Sequence, residues 1–272
     1  MLALPRHGSI SRPYAAVGLA FTLLSAVPVA AQATPGAEKK VRVDRRFTYL
    51  DESLHGAQPG EFEMENWVTW ERGIRGDSGL DNFDFKHEIE FGLSKDVVAA
   101  IDLVEWHTTD ANGDWTTKYD GTGGELRFRL ADPREGIGAA YKTELGIGPR
   151  EIEWENELIL DRWLGSWVVA YNLKVEAELE GDKSWEFEEG EVSVSQALGA
   201  SYEVDPMLFL GAEFVYEIPP EWDWGDRQNF FIGPNMSFRG EEWAFTTTAL
   251  FLADGEATAP EFQLRLIVEF EF

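Results

Sequence analysis

The side chains that could do chemistry in this 272-residue sequence are mostly carboxylates, 50 Asp and Glu against 23 Lys and Arg. They recur at every second position: Glu61, Glu63 and Glu65; Asp84, Glu88 and Glu90; Glu151, Glu153, Glu155 and Glu157; Glu176 and Glu178. Asp102, Glu144, Glu213, Glu217, Glu269 and Glu271 hold equivalent places elsewhere, and a minority of cations shares the phase, namely Lys86, Arg127, Arg129, Lys142, Lys174 and Arg265. Side chains two apart in an extended chain lie on one face. Such a face either concentrates cations and repels anions, or is consumed in cross-strand ion pairs that fill an interior. Catalysis is less well supported. Acid–base work needs two carboxylates in distinct environments, and no pair stands out among so many. His55, His87 and His107 have no serine at a recognisable spacing. Asp110, Asn112 and Asp114 alternate as in a calcium loop, but Trp115 stands where a Gly should follow the third ligand and Gly121 where the closing Glu should be. No catalytic residue, metal site or cofactor is expected.

The elements that must position these residues are strands. From Gly60 onward apolar and polar residues alternate with a period of two, the signature of strands with one oily and one wet face. Phe83, Phe85, Ile89, Phe91 and Leu93 oppose Asp84, Lys86, Glu88 and Glu90; Trp167, Val169, Tyr171, Leu173 and Val175 oppose Asn172, Lys174 and Glu176. The spacing predicts twelve strands. Short turns fall at Ser94, Asp132, Asp161, Asp205 and Gly240, and longer loops at Gly76, Thr108–Gly124, Glu221 and Gly255. A phase slip near Gly190 predicts a bulge, and the faces of 227–238 and 243–252 are left open. His87 falls in phase with the apolar residues, which implies a slipped register or a polar site on the outer wall.

Residues 1–31 carry Arg6 and Arg12, then the apolar run Ala15–Ala31 and small residues, the order of a Sec signal peptide. Its removal takes two of the 23 basic residues and none of the 50 acidic ones, moving the charge from −27 to −29. That balance argues against nucleic acid as a partner. The chain has no cysteine. Beyond the leader nothing approaches eighteen apolar residues in a row, so a membrane location requires a closed barrel, whose strands satisfy one another's backbone groups. Residues 32–59 are polar and read as a periplasmic arm or a lumen plug, with an ordered piece around Phe47–Leu50, and residues 60–272 read as the barrel. Trp163, Trp167 and Trp243 lie beside the short turns and Trp70, Trp106, Trp115, Trp185, Trp222 and Trp224 beside the longer loops, as two aromatic belts would. The other arrangement of alternating strands is a secreted sandwich or lipocalin-like barrel with its apolar face inward.

The last eleven residues, F-Q-L-R-L-I-V-E-F-E-F, resemble the closing strand of bacterial outer-membrane β-barrels. E-F-E-M-E-N-W-V-T-W (Glu61–Trp70), with R-R-F-T-Y before it, resembles an uncharacterised family of such proteins. The fold expected is all-β, an antiparallel up-and-down transmembrane barrel in the bacterial outer membrane, reached with the barrel-insertion machinery and surrounded by lipid and lipopolysaccharide. In that fold Glu88, Glu90, Asp102, Arg127, Arg129, Lys142, Glu144, Glu153, Glu155, Lys174, Glu176, Glu178, Glu213, Arg265 and Glu269 line the lumen, with Arg265 among carboxylates. The expected function is a narrow porin-like passage for small cationic or neutral solutes. A non-conducting structural or surface-interaction barrel is the alternative, and a lipid-modifying enzyme a more distant one.

Overall fold

A computed structural model describes residues 45–74, 79–181, 185, 189–218, 228–255 and 259–272. The expected leader, Trp222 and Trp224 lie outside them. The described residues form twelve strands: β1 (Phe62–Arg72), β2 (Leu80–Ser94), β3 (Val97–Ala111), β4 (Asp114–Ala131), β5 (Gly138–Ile147), β6 (Glu151–Leu164), β7 (Trp167–Glu180), β8 (Glu189–Asp205), β9 (Leu208–Ile218), β10 (Asn229–Arg239), β11 (Trp243–Asp254) and β12 (Phe262–Glu271). Each pairs antiparallel with its sequence neighbours, and β12 returns to β1 to close the barrel. Closure leaves no strand edge unpaired, the condition for backbone in hydrocarbon. At the seam Phe272 N–H donates to the Phe62 carbonyl at 3.0 Å, and their rings stack 5.2 Å apart.

The apolar face of the alternation points outward. Leu126, Leu130, Leu145, Trp154, Leu158 and Phe251 are all more than a third exposed, whereas Glu65, Glu90, Glu213 and Glu269 are at most 1% exposed. A soluble barrel would bury the first set and expose the second. With an oily exterior on a closed sheet, the chain is an outer-membrane β-barrel. All five connections at one end have two to six residues, as at a periplasmic rim, while the other end carries the longer ones at 73–79, 181–188, 219–228 and 255–261 together with the short turns 112–113 and 148–150. Near the outer end Phe251, Phe262, Trp70, Phe83 and Trp115 form a chain of ring contacts 5.2–6.1 Å apart. Near the other end Trp167 packs on Tyr202 at 5.0 Å and Trp243 on Phe238 at 5.7 Å. Trp163 does not join that belt; it packs on the apolar cluster inside the barrel.

Three local expectations change. The long loop expected at Thr108–Gly124 is instead a hairpin, with β3 and β4 running to a two-residue turn at Asn112-Gly113. Both turn residues have positive φ, 57° and 95°, the geometry for which Asn-Gly is suited. The bulge expected near Gly190 is absent, since β7 and β8 pair there without a shift. A bulge does occur in β3, where the register jumps between Asp102 and Glu105. The extra residue reverses the phase, so Glu105 and His107 share the inner face with Asp102. His87 shows no slip against β1: it pairs with Asn66 on the outer wall, its Nδ1 2.8 Å from Asn66 Oδ1.

Residues 45–58 have no regular structure and run inside the barrel. They touch nearly every strand from within, and they supply Phe47 and Leu50 to the buried apolar cluster, with Val168, Ala170, Ala197, Val215, Phe231 and Leu250 from the wall. Gly199 makes room for this: a Cβ there would lie 2.6 Å from Phe47 Cε1.

Candidate functional site

Pairing fixes the charge pattern on the wall. Glu125, Glu144, Glu155 and Glu176 stand directly opposite one another across β4–β7, and two residues nearer the periplasmic end Arg127, Lys142, Glu157 and Lys174 do the same. Like charges placed opposite one another destabilise a sheet, and here the cations one row away offset them. Lys142 Nζ lies 3.1 Å from Asp51, 3.1 Å from Glu157, 3.2 Å from Glu155, 3.7 Å from Glu125 and 3.9 Å from Glu144. Lys174 reaches Glu155 at 2.9 Å and Glu176 at 3.2 Å. Lys86 is held by Glu144 at 2.7 Å, Asp102 at 2.8 Å, Glu88 at 3.3 Å and Glu105 at 3.6 Å.

The inner segment docks by charge and by backbone. Arg45 pairs with Asp51 at 2.7 Å, Glu65 at 3.3 Å and Glu269 at 3.5 Å, with its guanidinium 4.6 Å from the Trp67 ring. Arg46 pairs with Glu52 at 2.6 Å between the rings of Trp163 and Phe209. Glu213 accepts the backbone N–H groups of Thr48 and Tyr49 at 3.0 and 2.7 Å. Ser237 and Thr246 donate to the Arg45 carbonyl at 2.9 Å each. Ser53 N–H donates to Asp161 at 3.1 Å, and Ala57 N–H to Glu90 at 3.2 Å. Arg127 reaches Glu125 at 2.9 Å, Glu90 at 3.3 Å and the His55 carbonyl at 3.1 Å. Burial opposes ionisation of Asp51, but Lys142, Arg45 and Arg127 outweigh it and hold the carboxyl well below its ordinary range. Burial, reinforced by Arg45, pushes the His55 imidazole down to about 4, so it is neutral at pH 7.

Between the segment and the outer rim lies a cavity of about 500 Å³. Its floor is Arg45, Thr48, Tyr49, Leu50 and Asp51. Its walls carry Asp84, Glu105, Asp120, Glu144, Glu151, Glu153, Glu155 and Glu157, against Lys86, Lys142, Lys174 and Arg265. With the floor included, nine carboxylates face five basic side chains. Toward the periplasm a space of about 20 Å³ remains beside the segment, room for roughly one water.

The residues expected to line a lumen therefore fall into three groups. Lys142, Glu144, Glu153, Glu155, Lys174 and Arg265 border the cavity. Glu88, Glu90, Asp102, Arg127, Glu213 and Glu269 are buried beneath or beside the segment. Glu176 pairs with Lys174, Glu178 lies opposite Glu153 nearer the outer rim, and Arg129 sits at the periplasmic turn, 2.9 Å from Asp96. Arg265 has Glu71, Asp84, Glu213 and Glu217 within electrostatic reach, as expected, but its direct contacts are others: its guanidinium lies 4.0 Å from the Tyr49 ring and donates to Thr69 at 3.0 Å and the Thr48 carbonyl at 3.2 Å. Sequence reasoning passed over Trp67, whose phase with Glu63 and Glu65 could have marked it as inward-facing. It also passed over Asp51 and gave His55 no role, since both lie outside the alternating pattern altogether. His107 meets Asp120 at 2.7 Å at the cavity wall.

No curated protein matches the chain. Among solved structures it resembles the COG4313 outer membrane channel from Pseudomonas putida F1, at 12% identity and a TM-score of 0.60, over 82% of this chain and 100% of that one. The translocator domain of autotransporter NalP from Neisseria meningitidis matches at 13% identity and a TM-score of 0.47, over 81% and 91% of the two chains. The Ralstonia pickettii toluene transporter TbuX matches at 8% and 0.42, over 81% and 90%. At these identities the channel from Pseudomonas putida supports the barrel architecture alone. The model of a family of unknown function, DUF6662, matches residues 44–265, and the chain belongs to that family.

Proposed function

We propose that the protein is an outer-membrane passage for small cationic or neutral solutes, entered through the outer cavity and held closed at its periplasmic half by residues 45–58 acting as a plug. The observation that carries the reading is the excess of carboxylates around the cavity of about 500 Å³. In a low-dielectric shell such an excess raises local cation concentration and excludes anions. The domain scheme goes with it: a leader over residues 1–31 removed on export, an arm and plug over 32–59, and a barrel over 60–272. Outer-leaflet lipopolysaccharide and the insertion machinery are the partners such a barrel would meet.

Planar-bilayer recording in a potassium chloride gradient tests this. The native chain is expected to conduct little. Phe47→Ala with Leu50→Ala, which removes the segment's apolar anchors, should raise conductance with a cation-selective reversal potential. Anion preference would sink the reading. No conductance from either chain would favour the non-conducting barrel, a view that the filled periplasmic half supports.

A further inference from the structure

On the seam where β1 meets β12, four side chains turn possible ligand atoms toward one point. Glu65 and Glu269 are directly opposite in the register, and Glu63 lies two residues along β1 on the same face. His55 reaches in from the inner segment, and the ligand atoms of all four lie within 4.8 Å of one another. None of the four is more than 5% exposed. His55 Nε2 is 3.4 Å from Glu65 Oε1 and 3.7 Å from Glu269 Oε1, yet makes no hydrogen bond among the described residues. Ligands about 2.0–2.2 Å from a tetrahedral ion stand roughly 3.3–3.6 Å from each other, which is close to the two separations of His55 Nε2 from Glu65 and Glu269.

Charge points the same way. Arg45 reaches Glu65 and Glu269, while Glu63 is surrounded by the carboxylates of Glu269, Glu90, Glu65 and Glu271. One guanidinium, that of Arg45, stands against three acidic side chains at this point. The other carboxylate clusters among the described residues differ in having no imidazole: Asp102, Glu105 and Glu144 around Lys86, Glu153, Glu155 and Glu176 beside Lys174, and Glu151, Glu178 and Glu180.

We propose that His55, Glu63, Glu65 and Glu269 form a binding site for a divalent transition-metal ion of the zinc or iron kind, tying the inner segment to the barrel seam. The imidazole sets the class, since carboxylates alone suit calcium or magnesium while imidazole suits zinc, iron, nickel or copper. Loading moves the imidazole proton to Nδ1. Arg127 Nη1, now 3.1 Å from Nδ1, must then turn fully to the His55 carbonyl, which it already contacts at 3.1 Å.

The full-length barrel, stripped with EDTA in detergent, is incubated with zinc chloride, manganese chloride or calcium chloride, desalted, and its metal measured by mass spectrometry. One zinc per chain is expected, with little manganese or calcium. Cobalt chloride should give the visible absorption of a cobalt ion bound in a low-symmetry nitrogen–oxygen site. Glu63→Gln and His55→Gln should each weaken retention by more than about a hundredfold, beyond the roughly 10–100-fold of losing an outer-shell partner. Glu63→Gln leaves the ion pairs of Arg45 with Glu65 and Glu269 in place, and unchanged heat-modifiable migration on gels confirms its folding. Equal zinc in native and variant chains, or calcium held as tightly as zinc, overturns the site.

Discussion

Asp51 decides the charge balance of the inner segment, because it is the one acid there that reaches Arg45, Lys142 and, at 3.9 Å, Arg127. Removing one member of a buried ion-pair network leaves its partners uncompensated, typically at about 3 kcal/mol or more. Asp51→Asn should therefore loosen residues 45–58, read as faster amide exchange there with the strands unchanged. Because the folded-state pKa of Asp51 is depressed, its contribution is complete above about pH 4 and is lost as pH falls through the folded value below that. Seating of the segment should lose nothing through Asp51 between about pH 5 and pH 8, and the gap between native and Asp51→Asn should close only in strong acid. Gly199 makes the complementary test. A Cβ there meets the Phe47 ring at 2.6 Å, so Gly199→Leu should expel the anchor and expose the segment to protease while the barrel remains folded.

The inner segment is an element without secondary structure, so it is held only by what the wall offers. Phe47 and Leu50 fill an apolar patch on β7–β11, and Glu213, Ser237 and Thr246 satisfy its backbone. Truncating a buried Phe or Leu to Ala costs about 2–5 kcal/mol. Phe47→Ala with Leu50→Ala should release the segment, raising proteolysis within residues 45–58 without lowering the temperature at which the barrel loses heat-modifiable migration.

At the scale of the whole molecule the sheet is inside out: its apolar face meets lipid, and its polar face meets a segment of the same chain. Leu158 lies near the middle of β6 on the outer wall, 37% exposed and paired with Tyr141 and Leu173. Leu158→Arg should lower stability by about 2–4 kcal/mol, the cost of a cation near the bilayer midplane, measured by denaturant titration in lipid vesicles. The same substitution in a soluble barrel that buried its apolar face would cost through overpacking, and detergent or lipid thickness would leave it unchanged.

The sequence by itself determined the strand number, the barrel and the inward phase of the charged residues, because a period of two is a local property and each strand repeats it. It left the β3–β4 hairpin looking like a loop, although Asn112-Gly113 was the legible turn signal, because Gly121, Gly123 and Gly124 read as breaks rather than as residues beside a bulge. Only the tertiary structure decided which carboxylates share a cation. Glu125, Glu144, Glu155 and Glu176 come from four strands, and their alignment depends on register, which no single segment carries. The same holds for the seam, where His55 precedes the alternating pattern and Glu269 lies near its end. Barrel closure brings them 3.7 Å apart, since the first and last strands of a closed sheet are neighbours in space.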